Sequence, residues 1–384
     1  MGMAVRSSAG EPVLDAKDRR VCSECVGEAF LRTEVERNGD DGTCFYCEQE
    51  GKTFSIGQMA DFVDPVLSEF FYPTEPRPGE SQPVADVIND SAEIGPEAAE
   101  DIRRVLAERH TEIEPGDTGF SDRRFAPDSH YVTRESVDAS DLEGDWLDFE
   151  RGLKHESRYF NRPGETLLTF LFEGIDGHKT IREDPIVVEA GPGTKHAILY
   201  RARQFEGEAE LRKAMERPDK EVGPPPASRA HANRMNAAGI PVFYGATDPM
   251  VALAEVRPPV GSKVLIACFE VTRPLRLLDF VALSRLGDQQ GSRFDSDYVR
   301  RLKRAEFLRR LGERISKPVM PGSQILDYLP TQAMADFLAT AADPPLDGII
   351  YRSVQDGHLE RDRRIFGGSG YKRNVILFQR AARV

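Results

Sequence analysis

Four of the five cysteines of this 384-residue chain fall in two knuckles, Cys22-Ser23-Glu24-Cys25 and Cys44-Phe45-Tyr46-Cys47, with 18 residues between them. Each C-x2-C turn points two sulfurs the same way, and two such turns together make a tetrahedral four-sulfur site of the zinc-ribbon kind. No other pattern restricts the fold so tightly. The run Asn38-Gly39-Asp40-Asp41-Gly42 reads as a hairpin tip that returns the second knuckle to the first. Disulfides are the competing reading, and the lack of a secretion pattern in the first residues weighs against them. A closed four-Cys set has no open coordination position, so the expected zinc is structural: it supplies folding energy to a small module over residues 1–55.

One hydrophobic core serves roughly 250–300 residues, so a chain of this length is expected to hold more than one domain. After the knuckles, Ile56, Met59, Phe62, Val63, Val66, Leu67, Phe70 and Phe71 recur at helical spacing behind Ser55, an N-cap residue. Residues 73–83 hold four prolines and Gly79 and read as a linker or long loop. A helix is expected over 96–110, from Pro96 to Arg109 and His110. Another is expected around Trp146, Phe149 and Leu153, with Tyr159 and Phe160 joining its core. His155 in that stretch lacks a partner at metal-binding spacing and reads as an ordinary helical histidine. From about residue 196, short apolar strands at 198–200, 242–244, 264–269, 348–351 and 375–378 alternate with turns and with helices at 298–315 and 330–342. Cys268 within one strand reads as a small core residue. The expectation is an α+β chain: a zinc-ribbon module at 1–55, a mainly helical domain at 56–195 and a second α+β domain at 196–384. No run of about 18 apolar residues is present, so a soluble, cytoplasmic protein is expected.

The net charge of −13 divides unevenly, −21 over residues 1–195 and +8 over 196–384. A basic half suits an anionic ligand such as a dinucleotide or a nucleic acid. The alternative is that Arg301, Lys303, Arg304, Arg309 and Arg310 form the solvated face of one helix. The double knuckle is poor in Lys and Arg and an acidic region follows it, which argues against nucleic acid as a partner.

Several familiar sites are excluded. Gly51-Lys52-Thr53 resembles the end of a phosphate loop, but Tyr46 stands where its first glycine belongs. Gly367-Gly368-Ser369-Gly370 lacks strand-turn-helix context, and no G-x-S-x-G elbow occurs. Polar residues at the ends of apolar elements remain. Arg201 and Arg234 are suited to a pyrophosphate, since a planar guanidinium pairs with phosphate oxygens bidentately. Tyr244 ends a strand. Asp248-Pro249 reads as a helix start that delivers Glu255 about two turns later. A carboxylate among Leu253, Ala254 and Val256 needs either an ion pair, with Arg201 or Arg257, or a catalytic role. Ser353 follows a strand and by itself reads as a turn residue.

The succession Tyr200-Arg201-Ala202-Arg203, Arg234-Met235-Asn236-Ala237-Ala238-Gly239-Ile240-Pro241-Val242-Phe243-Tyr244, Ala252-Leu253-Ala254-Glu255-Val256, Tyr328-Leu329-Pro330-Thr331-Gln332, Asp347-Gly348-Ile349-Ile350-Tyr351-Arg352-Ser353 and Asn374-Val375-Ile376-Leu377-Phe378 resembles the RES domain, named for its arginine, glutamate and serine. The resemblance covers roughly residues 196–384. The N-terminal half, with its double knuckle and the Trp146 to Phe160 stretch, is similar to the N-terminal domain found with some RES and HEPN proteins. One departure is local: where members commonly carry Gly-Gly-Arg-Trp-Asn, this chain has Ala232-Asn233-Arg234-Met235-Asn236.

The resemblance implies an ADP-ribosyltransferase-like fold, NAD as substrate, and often a toxin whose partner is an antitoxin. NAD breaks its nicotinamide–ribose bond through an oxocarbenium-like state, and neutral nicotinamide needs no proton to leave. One carboxylate can then suffice where ordinary glycosidases use two. On this reading Glu255 stabilises the developing charge or orients the attacking water, and Arg201 and Arg234 hold the pyrophosphate. Tyr244 packs on the nicotinamide or its ribose, and Ser353 hydrogen-bonds the carboxamide or ribose. Hydrolysis and phosphorolysis are both consistent with this. The alternatives are transfer of ADP-ribose to a macromolecule and a noncatalytic adaptor built on the knuckles.

Overall fold

The computed structural model describes residues 15–111, 124–287, 290–317, 319–320, 322–353 and 373–383. The Gly367–Gly370 run lies outside them. By packing, the chain divides into two units, 1–138 with 289–303, and 139–288 with 304–384.

The first unit begins with β1 (Arg20–Cys22), α1 (Ala29–Asn38), β2 (Asp40–Thr43) and β3 (Glu50–Ser55). The strands form an antiparallel sheet in the order β1-β3-β2. The expected hairpin tip at 38–42 is instead the end of α1 and the start of β2. The helix is favoured because Glu28 caps it by accepting from the Leu31 amide, and because Leu31 and Val35, one turn apart, are fully buried. Gly39 makes the change of direction: a Cβ there would sit 2.4 Å from the Val35 carbonyl oxygen.

α2 (Ile56–Phe70) starts where expected, with Ser55 and Gln58 forming a reciprocal capping box. It buries Met59, Val63, Val66, Leu67 and Phe70. β4 (Phe71–Thr74), β5 (Gln82–Pro83), α3 (Val84–Ala92), α4 (Pro96–Thr111) and β6 (His130–Thr133) follow. The proline-rich stretch expected as a linker therefore carries strand residues. β4 and β5 flank β6 in the sheet, and outer strands tolerate proline because they need not donate on both sides. One hydrophobic cluster joins Val21, Val26, Leu31 and Val35 to the faces of α2, α3 and α4, so the expected boundary at residue 55 falls inside a continuous core.

The second unit opens with α5 (Ser140–His155) and α6 (Arg162–Phe172). Leu142, Trp146, Phe149 and Leu153 are buried at helical spacing, while His155 is exposed. Tyr159 and Phe160, expected in that core, lie beyond the helix end and are 91% and 90% exposed. The chain continues through β7 (Val187–Ala190), β8 (Ile198–Phe205), α7 (Glu208–Glu216), α8 (Pro218–Glu221), β9 (Phe243–Ala246), α9 (Pro249–Val256), β10 (Lys263–Glu270), β11 (Leu275–Asp279), α10 (Phe280–Leu283), α11 (Ser296–Ser316), α12 (Gln324–Asp327), α13 (Leu329–Thr340), β12 (Gly348–Arg352) and β13 (Arg373–Leu377). The expected strands and both expected helices are present; β7 and β11 are additional.

The seven strands form one sheet in the order β10-β8-β9-β13-β12-β11-β7, with β11 and β12 parallel and the other pairs antiparallel. β10 and β8 pair over eight residues, but β8 joins β9 through Tyr200↔Ala246 alone among the described residues. Cys268 lies on the outer strand β10 and is exposed, contrary to its expected core position. The main core joins α5 and α6 to α11, α13 and one face of the sheet, through Trp146, Phe307, Leu308, Met334, Ile349 and Ile376. The expected boundary near 195 falls within this unit. No helix among the described residues is long and apolar enough to cross a membrane.

The basic residues of α11 are neither a bare solvated face nor a free anion site. Arg304 is buried and donates to the carbonyls of Leu171 and Glu173. Arg309 donates to the Leu286 carbonyl, Arg310 pairs with Glu306, and Arg314 pairs with Glu143. Lys303 pairs with Glu69 at 2.5 Å.

Candidate active site and metal centre

α9 begins as its sequence requires. Asp248 Oδ1 accepts from the amides of Met250 and Val251 at 2.8 and 3.2 Å, and Pro249 occupies the first turn. Val251 and Ala252 pack on Ala246, Tyr200 and Ala202. The helix thereby carries Glu255 to where β12 ends and β13 begins. There Glu255 Oε1 accepts from Ser353 Oγ at 2.7 Å and from Asn374 Nδ2 at 2.8 Å. Both donors are buried, 2% and 4% exposed, whereas Glu255 itself is exposed. Both bonds end on one oxygen, so neither donor uses Oε2.

The sheet register explains this convergence. Tyr200, Ala246, Asn374 and Tyr351 are successive partners across β8, β9, β13 and β12, and partners in register project to one face. Ser353 lies two residues beyond Tyr351. Burial, and next the charge of Glu255, push the Tyr351 hydroxyl well above its usual range.

Tyr244 stands two residues before Ala246. Its hydroxyl accepts from the Met235 amide at 3.1 Å and donates to Asn236 Oδ1 at 2.9 Å. Asn236 Nδ2 in turn reaches the carbonyls of His231, Ala237 and Ile240. Burial raises the Tyr244 pKa well above that of a free phenol. Tyr244 therefore locks the loop whose glycines and tryptophan are replaced in this chain, and Met235 fills the adjoining core at 2% exposure. Arg234 in the same loop donates to the carbonyls of Ile315 and Lys317 at the end of α11 and stacks 5.2 Å from the Tyr328 ring. Its guanidinium closes a helix end, a role for which carbonyls left without intrahelical partners are suited.

Arg201 alternates with Tyr200 on β8 and so projects from the other face of that strand. Its guanidinium lies 5.6 Å from the centre of the Phe243 ring. Nη1 is buried and has no hydrogen-bond partner among the described residues. Burial, with a contribution from Arg203, lowers its pKa to about 10. Of the six polar positions singled out in the sequence, Glu255 and Ser353 meet directly, Asp248 caps their helix, and Tyr244 shapes the neighbouring loop. Arg201 and Arg234 stand outside this hydrogen-bonded group. Asn374 was not singled out. Its signal was a lone amide side chain opening an apolar strand, since a buried amide must find partners.

A family model described as the RES domain matches residues 198–383. Residues 198–383 are a RES domain. The match opens at the first residue of β8 and contains Arg201, Arg234, Tyr244, Glu255, Ser353 and Asn374. At the level of the family, the RES domain ties this half of the chain to NAD-related activity. No curated protein and no solved structure matches the chain. The RES match does not reach the N-terminal half, where the candidate metal-ligating cysteines lie.

Those residues form a compact set: the sulfurs of Cys22, Cys25, Cys44 and Cys47 lie within 4.8 Å of one another. Cys22 and Cys47 Sγ are 3.5 Å apart, and Cys25 and Cys44 Sγ are 3.8 Å apart. Zinc–sulfur bonds of about 2.3 Å in a tetrahedron put neighbouring sulfurs about 3.8 Å apart, whereas a disulfide requires about 2.05 Å. Burial opposes ionisation of Cys44, yet backbone amides of Cys22, Cys47 and Tyr46 aimed at its sulfur bring the thiol down to about 7. Tyr46 also donates to Asp101 on α4 at 2.8 Å, tying the second knuckle to the helical core.

Proposed function

We propose that the RES domain cleaves the nicotinamide–ribose bond of NAD and delivers the ADP-ribosyl unit to water or phosphate. The observation that carries this reading is the Glu255 carboxylate, exposed and held, among the described residues, through one oxygen by two buried neutral donors. Among the described residues no cation pairs with it, and a carboxylate held by neutral donors keeps its charge for a ligand. In the reaction the C1′–N bond breaks with both electrons passing to the pyridinium nitrogen, giving neutral nicotinamide. Glu255 faces the cationic sugar or holds the attacking water, and the proton released leaves with solvent. Ser353 and Asn374 orient the carboxylate. Arg201, which leaves β8 on the other face, is assigned to the pyrophosphate reaching past the strand edge where β8 and β9 share, among the described residues, a single partner pair, because a phosphate oxygen would satisfy its buried Nη1. Tyr244 and Arg234 hold the loop and the helix end beside the site. In the N-terminal half, the four cysteines hold a structural zinc ion, and the unit they build targets or restrains the RES domain. A toxin role opposed by an antitoxin, in the cytoplasm, is the setting in which such an activity has a use.

Glu255→Gln should still bind NAD, measured by calorimetry, and release nicotinamide at least 100-fold more slowly. Unchanged turnover would remove Glu255 from the mechanism. Product analysis with and without phosphate separates the acceptors: free ADP-ribose marks hydrolysis, ADP-ribose 1″-phosphate marks phosphorolysis, and a labelled macromolecule marks transfer.

A further inference from the structure

The turn between α5 and α6 presents Tyr159 and Phe160 side by side, each at least 90% exposed, between Arg158 and Arg162. Two adjacent, fully solvated aromatic rings are unfavourable on an isolated surface. Beside them α5 and α6 enclose a groove of about 670 Å³. Phe149, Leu167, Phe170 and Phe160 itself are among the residues that line it. The two helices approach closely because Gly164 leaves no side chain where a Cβ would lie 2.6 Å from the Phe149 ring. Asp145, Asp148 and Glu156 edge the groove, with Arg151 offsetting part of their charge through contacts of 2.9 Å to Asp148 and 3.9 Å to Glu156.

We propose that this face binds a second copy of the same chain, each copy placing its Tyr159–Phe160 pair in the groove of the other. A two-fold contact requires the projection and the recess to share one patch, and Phe160 belongs to both. The charges complement each other in the same sense: arginines flank the projection, and the recess has an acidic edge. That edge also disfavours an anionic membrane as the occupant. Four aromatic rings, each burying 150–250 Å², cover roughly 600–1,000 Å². Counted on both surfaces, as interface areas are, this reaches at most the roughly 1,200–2,000 Å² of standard interfaces, and with only two anchoring side chains per copy the dimer is reversible.

The test is sedimentation of the full-length chain from about 1 to 200 μM. Reversible dimerisation with a midpoint of about 10 to 100 μM is expected. Tyr159→Ala/Phe160→Ala should raise the dissociation constant at least tenfold with an unchanged far-ultraviolet spectrum. The charge-reversed chains Arg158→Glu/Arg162→Glu and Asp145→Lys/Asp148→Lys should each remain monomeric alone and associate when mixed. A chain that is monomeric throughout, or a dimer indifferent to the aromatic substitutions, would overturn the proposal. So would a monomer that binds vesicles of anionic phospholipid through Tyr159 and Phe160.

Discussion

The site turns on how few atoms hold Glu255. Removing one donor to a charged acceptor typically costs about 1.5–3 kcal/mol, so Ser353→Ala or Asn374→Ala should each lower kcat for nicotinamide release about 10- to 100-fold with little change in KM. The split between kcat and KM distinguishes orientation of the carboxylate from loss of NAD contacts. Arg201→Lys should act in the other direction, raising KM more than it lowers kcat, because lysine lacks the planar fork. His196 is a second exceptional residue: it is 5% exposed, and neither ring nitrogen has a partner among the described residues. Burial first, then Lys195 and Arg373, lower its pKa to about 4. Its unfolded form takes up a proton near pH 6.5, so the folded state loses stability as pH falls from about 6.5 toward 4, on the order of 3 kcal/mol in all. Urea unfolding of His196→Leu should show a shallower decline across that window than the parent chain; identical slopes would place the proton uptake elsewhere.

At the scale of elements, what was legible depended on whether a segment carried its own signals. α2 announced itself through Ser55, Gln58 and a buried stripe, and α9 through Asp248-Pro249. α1 did not, because its last residues Arg-Asn run straight into Gly-Asp and look like turn chemistry, and its capping comes from Glu28, an uncommon cap. β5 escaped notice because two residues of strand have no periodicity, and β11 because Arg276 breaks its apolar run. The Glu255–Ser353 meeting was legible only as an order of motifs. Its geometry depends on the register of β12 and β13, which local spacing does not encode. The cap of α9 matters to this site from two turns away. Asp248→Ala should destabilise the chain by about 1 kcal/mol and also slow nicotinamide release, since loosening the first turn weakens the short helix that carries Glu255 at its other end. Calorimetry and turnover measured on the same preparation would show whether the two losses accompany each other.

For the whole molecule, the cores set which pieces can stand alone. Trp146, Phe149, Leu168 and Leu171 belong to the same cluster as Phe307, Met334 and Ile376. A fragment of residues 139–384 should therefore unfold in one cooperative thermal transition, whereas 196–384, stripped of α5 and α6, should expose that apolar face and aggregate; a soluble, cooperative 196–384 fragment would return the boundary to residue 195. The exposed thiol on β10 gives the chain a built-in reference for testing the proposed zinc. Cys268 is the one exposed cysteine of the five, and the sulfurs of the other four are clustered closely enough to hold a metal ion. With zinc in place, a maleimide dye should label each molecule once. After a strong chelator is added the stoichiometry should climb toward five, so mass spectrometry of the labelled protein counts intact knuckles molecule by molecule.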